Sequence, residues 1–153
     1  MRKSLLICAL LLSQPALAQQ QQPPAVPHAM PGHTMAAPGA PGTGFTANVL
    51  LETPLLGTER RIYRLYTIDF APNGSTPRHM HPGDEIALVT EGSVTLELQG
   101  QTPRTFTVGQ TFHPPPMTPH IARNASATAP ARVMVSSVTE AGRPSTIMVP
   151  LIN

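Results

Sequence analysis

His79-Met80-His81-Pro82-Gly83-Asp84-Glu85 decides what kind of chain this is. Two imidazoles stand two residues apart, and a carboxylate follows four residues after the second. Side chains at i and i+2 of a β-strand share one face, so His79 and His81 project together. Pro82-Gly83-Asp84 is a turn signal, and the turn lets the next strand bring Glu85 back beside them. A third imidazole, His120, arrives 35 residues after Glu85. Imidazole with carboxylate suits Fe, Mn, Cu, Ni or Zn, so the four side chains are candidate ligands of one divalent transition metal. Such a site is assembled by strands, and the flanking sequence agrees.

From Phe45 onward the chain consists of short apolar runs cut by turn residues, with no helical period. Strands are expected at 48–51, 62–70, 85–90, 93–98, 105–108, 131–138 and 146–149. Val94, Leu96 and Leu98 alternate with Thr95, Glu97 and Gln99, the pattern of a strand with one buried face. Pro72-Asn73-Gly74, Glu91-Gly92 and Gln99-Gly100 mark reversals. Many short strands between regular turns predict an all-β sandwich or barrel.

The N-terminal stretch has a different character. Arg2-Lys3, an apolar run from Leu5 to Leu12, and Ala16-Leu17-Ala18 together form the pattern of a secretory signal peptide spanning 1–18. The apolar run is too short for a membrane span of ~20 residues, so no stable membrane insertion is expected after cleavage. Residues 19–43 are rich in Gln, Pro, Ala and Gly and read as a disordered linker. Residues 44–153 then make one domain with a single small core. Cleavage would remove Arg2, Lys3 and Cys8, leaving eight Arg and no Lys against eight Asp plus Glu. A formally neutral chain gives no electrostatic case for nucleic acid or an anionic membrane. Without its cysteine it has neither a disulfide nor thiol chemistry. The expected location is exported, periplasmic or secreted.

Gly74, then His79-x-His81-x3-Glu85-x6-Gly92, closely resembles the first motif of the cupin superfamily, and Gly109-x5-Pro115 followed by His120-x3-Asn124 resembles the second. The 16 residues between them, Ser93 to Val108, match the small single-domain members. Two positions depart: the Gly74–His79 gap is one residue short, and Met117 stands where a glycine is expected. The resemblance implies a cupin-type jelly-roll β-barrel, often homodimeric, in which His79, His81, Glu85 and His120 hold one divalent metal inside the barrel. It also implies a small-molecule substrate or ligand. A metal-dependent enzyme is the first expectation, with oxygenase ahead of isomerase or lyase. The alternative is a non-catalytic sensor or binding protein, because one fold hosts both.

Other residues invite a role. Glu85 could also act as a base. His113, on the Pro-rich turn Phe112-His113-Pro114-Pro115-Pro116, reads first as a loop residue and second as a lining of the barrel mouth. Arg64, Tyr66 and Arg78 could meet an anionic group, although arginine on a strand is more often simply solvated. Gly92 and Gly109 suit turns that need positive φ, and Asn124 reads as structural. In the linker, His28, Met30, His33 and Met35 have the soft donors that copper prefers, set in a low-complexity tract.

Overall fold

The computed structural model describes residues 42–150. The expected leader, the linker up to residue 41 and the His/Met tract at 28–35 therefore lie outside the described residues. Within them the chain is all β, with ten strands and no helix. They are β1 (Phe45–Leu55), β2 (Thr58–Phe70), β3 (His79–Met80), β4 (Asp84–Glu91), β5 (Ser93–Leu98), β6 (Arg104–Thr107), β7 (Thr111–Phe112), β8 (His120–Asn124), β9 (Ala131–Glu140) and β10 (Ile147–Met148). Two antiparallel five-stranded sheets form, in the orders β1-β2-β9-β4-β7 and β10-β3-β8-β5-β6, as a jelly-roll barrel requires.

Two strands escape the sequence-based expectation, β7 and β8, and β3 ends at Met80, so His81 lies just beyond the strand expected to carry both histidines. β7 is two residues long, too short for any alternation to register. β8 is buried at His120, Ile121, Ala122 and Asn124, so both of its faces are covered and no period of two shows. β1 and β2 run longer than expected because they pair along nearly their whole length, through a bulge between Val49 and Leu51.

The core sits between the sheets at one end: Phe70, Ala87, Val89, Val94, Leu96, Phe106, Phe112, Ala122, Ala131, Val133 and Val135. Burying side chains of this size is worth roughly 1.5–3 kcal/mol each for the larger ones. Along the inward faces of three strands the character then changes from apolar to polar. On β9, Ala131, Val133 and Val135 give way to Ser137 and Thr139. On β4, Val89 and Ala87 give way to Glu85. On β2, Phe70 gives way to Tyr66 and Arg64. Register aligns these changes: Tyr66 and Ala87 both face Val135, and Arg64 and Glu85 both face Ser137. One end of the barrel is therefore core, and the other is built to hold something polar.

Candidate metal centre

His79 on β3 pairs directly with His120 on β8, which places two imidazoles side by side on one sheet. His81 follows β3 immediately, and Glu85 enters from β4 of the opposite sheet. The Pro82-Gly83 turn makes that crossing, and its glycine is required by close approach. A Cβ at Gly83 would stand 2.0 Å from the Val138 carbonyl oxygen. All four candidate side chains are buried.

The three imidazoles lie with ring centroids 4.4–5.3 Å apart. Each spends Nδ1 on a backbone carbonyl: His79 on Pro77 at 2.7 Å, His81 on Ser145 at 2.8 Å, and His120 on Thr118 at 2.9 Å. A carbonyl can only accept, so each Nδ1 carries a proton, and Nε2 is the nitrogen each ring has left to offer a metal. Burial, helped by the neighbouring His120, pushes His79 down to about 4, and burial likewise lowers His120. Both are neutral near pH 7, the form that binds metal.

One ring nitrogen of each of the three histidines falls within 4.8 Å of the others, as a shared ion needs. His81 Nε2 is buried and makes no hydrogen bond among the described residues, although Glu85 Oε2 is only 3.1 Å away. A ring nitrogen and a carboxylate oxygen that close, both buried, would suit a cation held between them. Among the described residues Glu85 pairs with no arginine; it is 6% exposed, and a buried carboxylate calls for a positive charge beside it. The buried His81 nitrogen, the buried carboxylate and the neutral His79 and His120 imidazoles fit a divalent metal.

Beside the quartet lies a cavity of about 260 Å³. Phe45, Ala47 and Val49 of β1 form an apolar wall, while Ser137, Thr139, Ser145 and Thr146 form a polar one. His81 and Glu85 reach into it, as do Arg64 and Tyr66. Tyr66 donates its hydroxyl to Glu85 Oε2 at 2.5 Å. Burial raises the Tyr66 phenol well above its usual value, and the Glu85 charge and hydrogen bond add to this, so the proton stays on the tyrosine. Arg64 is tied to Glu52 Oε2 at 2.6 Å and to Thr139 Oγ1 at 2.8 Å.

The remaining candidates fall elsewhere. His113 is half exposed, 3.5 Å from Asp84, and does not line the cavity. Arg78 holds Gln99 and the Pro150 carbonyl. Asn124 is structural: its amide bonds the carbonyls of Ala71 and Ala129, and its oxygen accepts from Ser126 N–H. Gly92 and Gly109 have φ of 66° and 85°. Met117 adopts φ 58° and keeps the left-handed turn that a glycine would make there. Tyr66 is the contact to the quartet that sequence reasoning left out of the site. Its signal was the spacing of two from Arg64 and Ile68 along β2.

The cupin domain family profile matches residues 66–137. No protein of curated function matches the sequence. Among solved structures, the polyketide cyclase RemF from Streptomyces resistomycificus is 26% identical, with a TM-score of 0.55 over 84% of this chain and 86% of that one. An oxalate oxidase is 24% identical, TM-score 0.55, over 76% of this chain and 60% of its own. The DMSP lyase DddQ from Ruegeria pomeroyi is 19% identical, TM-score 0.54, over 68% and 51%. The chain thus spans about half to three fifths of the lyase and the oxidase, and those two likenesses concern the fold alone.

Proposed function

This chain belongs to the cupin superfamily, and from that premise we propose that it is a metal-dependent enzyme acting on a small organic molecule. His79, His81, Glu85 and His120 would hold one divalent transition metal. The observation that carries this is the orientation of the three imidazoles. All their Nδ1 protons are spent on backbone carbonyls, so the Nε2 atoms are left for a shared ion next to Glu85 and the cavity.

A bound metal would supply a Lewis-acid centre, and a redox centre if it is iron, copper or manganese. The chain's own residues do the rest. Phe45, Ala47 and Val49 take the apolar part of the ligand, and the hydroxyls of Ser137, Thr139 and Thr146 bind its oxygen atoms. Glu85, with Tyr66 donating to Oε2, can take a proton at its other oxygen. Oxygenation rests on the donor set. Isomerase or lyase chemistry draws support from the likeness to a cyclase that aligns along most of both chains. Export and a homodimeric state belong to the same proposal.

Elemental analysis of the purified chain beside His79→Ala and His120→Ala tests it. About one metal per chain in the wild type and strong depletion in both variants is the expected result. Equal, negligible metal in all three ends the proposal. Iron or copper favours oxygenation, and zinc alone favours the isomerase or lyase side. Metal without turnover of any oxygen-bearing small molecule would leave a binding protein.

A further inference from the structure

We infer that Tyr66 is the positioning residue of the metal centre: it sets the Glu85 carboxylate so that Oε2 lies beside His81 Nε2. The inference rests on the proposal that the quartet binds metal. Tyr66 stands on β2 and Glu85 on β4, with β9 between them in the sheet. At about 4.8 Å per strand the two backbones stand roughly 10 Å apart, a gap closed by the tyrosine and glutamate side chains reaching toward each other over β9. Register supports this path, because Tyr66 faces Val135 while Glu85 faces Ser137 on the same strand. The hydroxyl therefore arrives diagonally, over β9, at one chosen oxygen.

The oxygen it meets is the informative one. Glu85 Oε2 accepts from Tyr66 at 2.5 Å and lies 3.1 Å from His81 Nε2. Each histidine is oriented by a backbone carbonyl, whereas the carboxylate is oriented by this phenol. The neighbouring guanidinium of Arg64 could have paired with Glu85, but it is engaged by Glu52 and Thr139 instead. That leaves Glu85 its negative charge for a metal and fixes its rotation with a neutral donor. A cationic partner would have competed with the ion.

The test is a double-mutant cycle read by cobalt(II), with wild type, Tyr66→Phe, Glu85→Ala and the double variant titrated with the metal alone. Tyr66→Phe is expected to weaken cobalt(II) about 10- to 100-fold and to shift the visible cobalt bands. In the Glu85→Ala background the same change is expected to alter affinity less than about twofold. Equal losses in both backgrounds, or no loss in either, would overturn the assignment. If Tyr66→Phe does not fold, 3-fluorotyrosine at position 66 keeps the shape and strengthens the donor. Unmoved cobalt bands would then overturn the assignment. A wild type that takes up no cobalt(II), iron, manganese, nickel, copper or zinc sinks the metal proposal itself and this inference with it. An intact wild-type site with an insensitive Tyr66→Phe sinks this inference alone.

Discussion

Ser145 and His81, 64 residues apart, are joined by a hydrogen bond in which the His81 Nδ1–H donates to the Ser145 carbonyl at 2.8 Å. The strand that follows Ser145 pairs with β3, setting Met148 against His79 and Ile147 against Met80. Val149 N–H also bonds to the Arg78 carbonyl. The C-terminal segment thus clips the strand that carries two of the histidines and sets the ring of one of them. A chain ending at Ala141 keeps every residue of the main core. It is expected to retain its β-type circular dichroism while binding metal about 10- to 100-fold more weakly. Undiminished affinity in the shortened chain would show that β10 plays no part in the centre.

Acid should weaken the metal-free protein over a defined window. His79 titrates near 4 when folded, against an ordinary value of 6.5, because burial penalises its charged form. Below about 6.5 the unfolded chain takes up a proton that the folded chain refuses, so stability falls as pH drops from about 6.5 to about 4. It is fully present above that window and changes no further below it. The loss from His79 is on the order of 3 kcal/mol, and His120 shifts in the same direction. Thermal unfolding of metal-free protein at pH 7.5 and 4.5 measures it. His79→Ala should flatten the dependence, and an equally steep curve in that variant would refute the cause.

Met117 pays a backbone cost that glycine would not. Its φ of 58° lies in the left-handed region, yet its N–H is needed there to bond the His81 carbonyl at 2.8 Å. The side chain is half exposed, so its removal forfeits little packing. Met117→Gly is expected to raise stability by roughly 0.5–1 kcal/mol after allowing for the looser unfolded chain. Metal affinity should stay unchanged. A lower denaturant midpoint would show that the thioether packs more than its exposure suggests.

Much of this architecture was legible because its signals are local. His79, His81 and Glu85 fall within seven residues, and Pro72-Asn73-Gly74 and Glu91-Gly92 mark the reversals around them. Tyr66 was not selected because its partner lies two strands away, and the order β2-β9-β4 follows from pairings that no window of sequence contains. β8 hid for the opposite reason: His120-Ile121-Ala122 is covered on both sides and shows no alternation. The sheet that carries β3 also owes its edge to β10, a two-residue strand whose purpose is visible only beside His81.

Gly83 offers the sharpest separation of close approach from conformational freedom. It is not among the positive-φ glycines, so alanine meets no dihedral penalty there. Its Cβ, however, would lie 2.0 Å from the Val138 oxygen, which is backbone and cannot swing away. The turn between His81 and Glu85 would have to lift off β9, where Asp84 pairs with Val138 and Glu85 with Ser137. Gly83→Ala is therefore expected to cost about 2–3 kcal/mol and to weaken metal binding more than about 10-fold by parting Glu85 from His81. Gly100 is the natural control: it has φ 77° and nothing within 4 Å of a Cβ. Gly100→Ala should cost about 1 kcal/mol in backbone strain and leave metal affinity alone. If the two alanine variants lose affinity equally, the contact with Val138 does not position the site.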